Sequence, residues 1–291
     1  MLYSIIDIGS NTVKSAVYKL SEGKVTRYKF FTKQLGLIAR IKDGILPWPS
    51  IALLCDTINE YISNVDSTAY CFATESLRRI DNLDDVICAV RNNCGLDIEL
   101  ISSEDEARLS FEGFLEATPN ITSGIMVDMG GGSTEILKFE RRKAIELHSF
   151  RFGCLSLRRD HVKGRFPTDK ELTDIQNKVE SELKAFPWIK DADRLCLIGG
   201  TGSSIGKLAI ELGYTTLPEF SSETFMELFE YLWDIDEYKI SLLEKYIPAR
   251  VETILPGMCA YRRIIETVNA KTVYISHGGI RDGYLYRKLR G

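Results

Sequence analysis

Histidine is nearly absent, with 3 among 291 residues (His148, His161 and His277), and no His-Asp metal constellation can be assembled from them. The 7 cysteines (Cys55, Cys71, Cys88, Cys94, Cys154, Cys196, Cys259) are odd in number and scattered, with no C-x-x-C pair. That argues against a disulfide framework or a zinc site; several lie in apolar stretches, where Cys behaves as a small hydrophobe. Positive charge is not in surplus either. With 37 Lys and Arg against 41 Asp and Glu, the formal net charge is −4. No global field attracts DNA, and an acidic ligand must be held by local bases and oriented N–H groups. No apolar stretch reaches the roughly 20 residues that span a membrane. The N-terminus enters a strand at once, without the charged and apolar regions of a signal peptide. Low-complexity tracts and solenoid repeats are also missing. The expectation is a cytoplasmic protein with reduced thiols, and no membrane or DNA partner. Its length of 291 residues suits two domains.

What is present is a short phrase written twice. Asp7-Ile8-Gly9-Ser10-Asn11-Thr12 and Asp128-Met129-Gly130-Gly131-Gly132-Ser133-Thr134 each follow an apolar run and lead into a second candidate strand. An acid at a strand end, followed by small residues in a tight turn, places a carboxylate beside exposed backbone N–H groups. Such a row is a nest for phosphate, and the carboxylate can anchor Mg²⁺. One copy alone would be an ordinary hairpin signal. Two copies in matching contexts, with a third Gly/Thr/Ser cluster at Gly199-Gly200-Thr201-Gly202-Ser203-Ser204, favour phosphate binding.

The element pattern supports a duplication. The first half reads as a strand, a hairpin partner, a third strand (24–31) and a helix (51–63). A strand (67–73), a helical stretch to 93, a strand (96–101) and a helix (about 104–116) follow. The segment 117–124 has the composition of a linker. The second half restarts with strand, acid–glycine turn, partner and third strand (143–150). It continues through helices to a strand (194–198), one long helical region (222–268), a strand (272–276) and a terminal helix near Ile280. This predicts an α/β fold with mixed sheets, divided into domains 1–120 and 121–291 around an interdomain cleft. The terminal helix is free in this reading to pack back on the first domain.

Three segments carry further chemistry. Thr201-Gly202-Ser203-Ser204-Ile205-Gly206-Lys207 imitates a P-loop, but Thr201 stands where the first glycine is required and Leu208 where a hydroxyl is. What remains is a glycine-rich turn opening a helix, which can still hold an anion. Ser103 and Glu106 have capping-box spacing, and spacing alone favours that structural role over a catalytic Glu106. At a strand-to-helix junction, Thr74 could cap, and Arg78 or Arg79 could grip a phosphate or simply form exposed salt bridges. Arg151, Arg158, Arg159, Lys163 and Arg165 form either a polyanion patch or a solvated face. Arg281 is the better cationic candidate because it follows a strand end, and His277 is expected to be structural.

The ordered set of landmarks resembles the Ppx/GppA family of exopolyphosphatases and guanosine pentaphosphate phosphohydrolases. These landmarks are the two acid–glycine phrases, Ala73-Thr74 with Leu77-Arg78 and Asn82, Glu106-Ala107-Arg108, Glu135 and Gly153-Cys154. Gly199-Gly200-Thr201, Ile254-Leu255-Pro256-Gly257 and Gly279-Ile280-Arg281-Asp282-Gly283 complete the set. The resemblance implies duplicated ribonuclease H-like domains of the actin, Hsp70 and sugar kinase superfamily. It implies that Glu106 activates water, that Asp128 and Glu135 serve Mg²⁺ and substrate orientation with Asp7 contributing, and that Arg78 contacts phosphate. Ser10, Asn11, Thr12, Gly130, Gly131, Gly132, Ser133, Thr134, Gly200 and Thr201 fall on the phosphate-holding loops.

Longer family members carry a further helical domain, so the chain resembles a short two-domain form, expected to prefer short polyphosphate. The expected activity is release of orthophosphate from the end of inorganic polyphosphate. Removal of the 5′-γ-phosphate of guanosine pentaphosphate is the alternative within the family. A nucleotide-binding regulatory protein of actin-like fold without turnover is the alternative outside it, and the landmarks argue against a sugar kinase. A homodimer is a further expectation raised by the resemblance.

Overall fold

The repeated phrase generates the same hairpin twice. In the computed structural model, which describes residues 1–78 and 80–291, the first copy joins β1 (Leu2–Ile8) to β2 (Thr12–Ser21). The second joins β6 (Gly124–Met129) to β7 (Thr134–Glu140). Arg79, a candidate phosphate contact above, lies outside the described residues. The chain divides into two compact units, Met1–Leu109 with Ile280–Gly291, and Ser110–Gly279.

In the first unit β2 continues antiparallel into β3 (Lys24–Gln34), while β4 (Thr68–Ala73) and β5 (Ile98–Leu100) add in parallel on the other side of β1. The sheet order is β3-β2-β1-β4-β5. Ile5, Ile6 and Ile8 are fully buried, as a central strand covered on both faces requires. Strand alternation sends Ile6 and Ile8 into one apolar cluster and Ile5 into another. The first cluster is filled by α2 (Trp48–Ser63) and α4 (Leu83–Cys94), with α1 (Leu37–Arg40) and α3 (Glu75–Arg78) as short pieces between strands. The second is filled by α5 (Ser103–Ala117) and the terminal α12 (Ile280–Arg290).

Charge fastens α12 to this sheet as well. Tyr284 packs on Phe72 with ring centroids 4.7 Å apart, and its hydroxyl donates to Glu99 at 2.8 Å. Lys288 reaches the same carboxylate at 2.9 Å and Arg287 joins them. These contacts hold the Glu99 carboxyl below its usual pKa against the opposing effect of burial, which is the largest single influence.

The second unit repeats the plan. β6, β7 and β8 (Lys143–Phe150) form the antiparallel set, and β9 (Arg194–Ile198) pairs in parallel with β6. Then β11 (Thr272–Ile275) and the short β10 (Glu219–Ser221) extend the sheet to the order β10-β11-β9-β6-β7-β8. The expected α/β fold with mixed sheets is the observed one, and the matching halves are its duplication. The helices are α6 (Cys154–His161), α7 (Asp169–Leu183), α8 (Gly199–Glu211), α9 (Ser222–Trp233), α10 (Glu237–Tyr246) and α11 (Ile254–Val268).

Two expectations change. The long helical region 222–268 is three helices and a 3-10 turn at Pro248–Arg250. Asp236 stops its continuity by capping α10 through the Lys239 N–H at 2.7 Å, and Pro248 cannot donate to a helix that would continue through it. The units also divide inside α5, not at the 117–124 segment. Apolar residues of this one helix enter different cores, Leu109 with Ile5 and Leu285, Phe111 and Phe114 with Met126 and Phe139.

Because α12 returns to the first core, it should carry much of that unit's stability. Leu285 is fully buried, so Leu285→Ala should destabilise by about 2–5 kcal/mol. Tyr284→Phe, which keeps the ring and removes the bond to Glu99, should cost about 1 kcal/mol. Urea denaturation of the two variants checks both values.

Candidate functional site

The two turns share one hydrogen-bond plan. In the first, the Gly9 N–H closes the turn onto the Thr12 carbonyl at 3.1 Å. In the second, Gly130 does the same to Ser133 at 2.9 Å. The carbonyls between them are claimed from one side. Leu35 and Gly36 N–H groups donate to Asn11, and Ile38 to Ser10, at 2.8–3.0 Å. In the second copy Cys154 donates to Gly130, and Leu155 and Ser156 to Gly131, at 2.9–3.0 Å. These last donors are the otherwise unpaired first N–H groups of α6.

A peptide whose C=O is held on one side turns its N–H to the other. Among the described residues, the N–H groups of Ser10, Asn11, Gly131, Gly132 and Ser133 donate to no backbone carbonyl. Each turn therefore presents the row of donors that an anion requires. Gly153 makes the close approach of α6 feasible, since a Cβ there would stand 2.6 Å from the Gly130 carbonyl oxygen.

Strand register sets what faces each turn. Asp128 on β6 lies directly opposite Glu135 on β7, so the two carboxylates share a face of the hairpin. Glu135 is 5% exposed, and Ser149 donates to it at 2.7 Å. Burial, and next the charge of Asp128, raise its pKa from 4.5 to about 7. Ser110 on α5 donates to Asp128 at 2.8 Å. Gly199 sits against the same acid with φ +76°, and a Cβ there would fall 2.4 Å from the Asp128 Oδ1.

The first copy differs at the matching position. Opposite Asp7 stands Lys14, and Asp7 accepts a hydrogen bond from Arg281 of α12 at 2.6 Å. Among the described residues no group of three or more His, Cys, Asp or Glu gathers as a metal site. Asp7 lies in the first unit, and within the second unit the register brings Asp128 and Glu135 together. That pair fits a hard divalent cation: two oxygen donors share a face, one is strained by burial and like charge, and no lysine stands opposite. Mg²⁺ bound there would take its remaining ligands from water and phosphate oxygens.

Glu106 is not the cap that spacing favoured. Ser102 caps α5, accepting from the Asp105 N–H at 3.0 Å and donating to the Asp105 carboxylate at 2.8 Å. The Ser102 carbonyl takes the Glu106 N–H at 2.8 Å, which fixes Ser102 as the N-cap, one residue earlier than the spacing suggested. The Glu106 carboxylate instead pairs with Arg78 at 3.6 Å, and its side chain is 25% exposed. Arg78 also donates to the Ile101 carbonyl. Glu106 and Ser110 lie one turn apart on a single face of α5.

Other candidates sort into support. Thr134 and Thr201 are fully buried. The Thr134 hydroxyl donates to the Phe152 carbonyl at 2.7 Å, and the Thr201 hydroxyl to Met129 at 3.4 Å. Both brace the turns rather than offer hydroxyls to a ligand. Thr12 supplies the carbonyl that closes the first turn, and Asn82 clamps the Leu46 backbone with two hydrogen bonds of 3.0 Å.

The expected basic patch is largely spent. Arg158 binds the Val162 and Gly164 carbonyls, Arg159 pairs with Asp160, and Arg165 pairs with Glu244. Sequence reasoning missed Arg250, whose guanidinium lies against Gly200 and donates to the Thr201 hydroxyl at 3.3 Å. The Pro248–Arg250 turn aims it at the start of α8, and only the break in the helical region could have signalled it. Lys14 was missed because register, not motif, sets it opposite Asp7.

Comparison with known proteins gives the family and the fold. The Ppx/GppA phosphatase family matches over residues 43–291. The guanosine-5′-triphosphate,3′-diphosphate pyrophosphatase of Photobacterium profundum is 21% identical over 99% of this chain, and that of Aeromonas hydrophila is 22% identical. The chain spans 59% of the length of these curated relatives. Among solved structures, an Aquifex aeolicus Ppx/GppA family member is 24% identical, with a TM-score of 0.85 over 100% of this chain and 98% of its own. An exopolyphosphatase of Cytophaga hutchinsonii superposes with a TM-score of 0.84 at 18% identity over 100% and 98%.

The strained carboxylate gives a pH signature in metal-free buffer. Between pH 4.5 and about 7 the folded chain keeps a Glu135 proton that the unfolded chain has released. Stability therefore falls as pH rises through this window, by roughly 3 kcal/mol, and is flat above it. Glu135→Gln should flatten the profile. Urea denaturation in EDTA from pH 4 to 8 tests this, and an equally steep variant would clear Glu135 of the effect.

Proposed function

Because the chain belongs to the Ppx/GppA phosphatase family, we propose that it hydrolyses the terminal phosphoanhydride of inorganic polyphosphate. The carrying observation is the Asp128–Glu135 pair beside a turn whose N–H groups face away from their carbonyl anchors. Cation-seeking acids next to anion-seeking amides suit a phosphate that arrives with its counter-cation. Little covalent catalysis is needed for phosphoryl transfer to water; positioning and charge neutralisation do most of it.

In this reading the amides of the Gly130–Ser133 turn hold phosphate oxygens. Arg78 has donors beyond those used on Ile101 and Glu106, and these can grip the reacting phosphoryl group. Glu106 accepts the proton of the attacking water as oxygen bonds to the terminal phosphorus, and the shortened chain leaves with the bridging oxygen. Mg²⁺ at Asp128 and Glu135 would supply neutralising charge to the phosphate oxygens. The names of the curated relatives favour a second substrate, guanosine pentaphosphate, which offers the same terminal bond.

Phosphate release from polyphosphate and from guanosine pentaphosphate, each with Mg²⁺, tests the reading. Glu106→Gln should lower kcat by about 10²–10⁴ while substrate still binds. Asp128→Asn should lose the response to Mg²⁺. A fully active Glu106→Gln would remove the assigned base, and a native chain inactive on both substrates would sink the enzymatic reading.

A further inference from the structure

A cavity of about 420 Å³ lies elsewhere in the second unit, lined by Tyr214, Tyr231, Tyr238, Tyr246, Leu242 and Glu211 among others. It is built at the far end of α8 from Gly199, and 13 residues of helix separate the two ends by about 20 Å. Nothing in the proposed hydrolysis uses it. Its volume falls in the range of small-molecule sites, and 4 tyrosines stand in its lining.

Three features give the cavity a preference for positive charge. The first is the rings themselves, whose faces attract cations. Burial raises the pKa of both Tyr214 and Tyr231, so they remain neutral phenols. The second is the backbone. Helices α8 and α10 end at Glu211 and Tyr246, both in the lining, and α9 ends just past Tyr231. Helix C-termini carry partial negative charge. The N–H groups of 212–215 turn back onto Leu208, Ile210 and Ala209. Among the described residues this leaves the carbonyls of Glu211, Leu212 and Gly213 without a backbone donor at the lining. The third is the Glu211 carboxylate of the lining, whose negative charge also acts on the Lys245 ammonium.

The chain already shows the chemistry that such walls accept. The Lys239 ammonium lies 5.1 Å from the Tyr231 ring centroid, and Lys245 lies 4.6 Å from that of Tyr246. Both are primary ammonium ions seated over lining rings. No side-chain cation is seated on Tyr214 or Tyr238 among the described residues, and Tyr238 is 66% exposed. We propose that this tyrosine cavity binds a small organic cation of the alkylammonium class, with Tyr214, Tyr238 and Glu211 as its principal contacts. Two free aromatic faces, one carboxylate and open carbonyls match an ammonium with apolar substituents. A metal ion would want more oxygen ligands, and an anion would meet the wrong potential.

The test uses the full chain without phosphate substrate. Tetramethylammonium chloride and spermidine are titrated at ionic strength matched with KCl, and binding is read by calorimetry and tyrosine fluorescence. Saturable binding of at least one probe, with no response to KCl, is expected. Tyr238→Leu should weaken it about tenfold, and Glu211→Gln should weaken it in the same direction. Tyr238→Phe, which keeps the aromatic face, should bind as the native chain does. Tyr238 is exposed, so its variants should melt with the native chain. Lack of saturation with both probes, an equal response to KCl, or native affinity in Tyr238→Leu would each overturn the site. None of these readouts involves phosphate release, so the outcome is independent of the proposed activity.

Discussion

The second unit is organised around two carboxylates that should repel each other. Register fixes Asp128 opposite Glu135, and burial denies Glu135 the water that would screen it. Such an arrangement opposes folding at neutral pH. It is tolerated because the neighbours are arranged for it: Ser110 and Ser149 donate to the acids, and Gly199 leaves space beside Asp128. A fold selected only for stability would place a lysine or an apolar residue opposite Asp128. Stability given up at a localised, hydrogen-bonded spot is the physical mark of a site awaiting a ligand.

The first unit supplies an internal control. It has the same hairpin, the same turn closure and the same acid, yet Lys14 occupies the place of Glu135 and Arg281 binds the acid directly. One unit thus meets a negative strand end with Lys14 and Arg281, whereas the other sets Glu135 opposite its acid and gives the two acids serine donors. Duplication preserved the backbone device and divided the electrostatic labour.

Much of this was legible in the sequence because it rests on local rules. Strand runs, the acid–glycine turns and the strands 143–150 and 194–198 follow from periodicity and turn chemistry. The N-cap was misplaced by one residue because Ser102-x-x-Asp105 and Ser103-x-x-Glu106 overlap. The bonds from the Glu106 N–H to the Ser102 carbonyl and from the Asp105 N–H to the Ser102 hydroxyl distinguish them. Lys14 required strand register, Arg250 required the break at Pro248, and the Asp7–Arg281 pair required the chain to return after 274 residues. None of these is a local property. The division of units within α5 was hidden for the same reason, since a helix pattern does not say which core each apolar residue will enter.

The cap displacement also bears on how Glu106 can act. A carboxylate that satisfies a helix N-terminus is committed, because removing it would leave backbone donors unpaired. With the Ser102 hydroxyl accepting from the Asp105 N–H, Glu106 is not needed as that cap; its carboxylate pairs with Arg78 at 3.6 Å and its side chain is a quarter exposed. It can take up a proton without unravelling the helix that positions it. The adjacent acids Asp105 and Glu106 thus differ in surroundings: one accepts from the Ser102 hydroxyl at the start of α5, and the other faces Arg78.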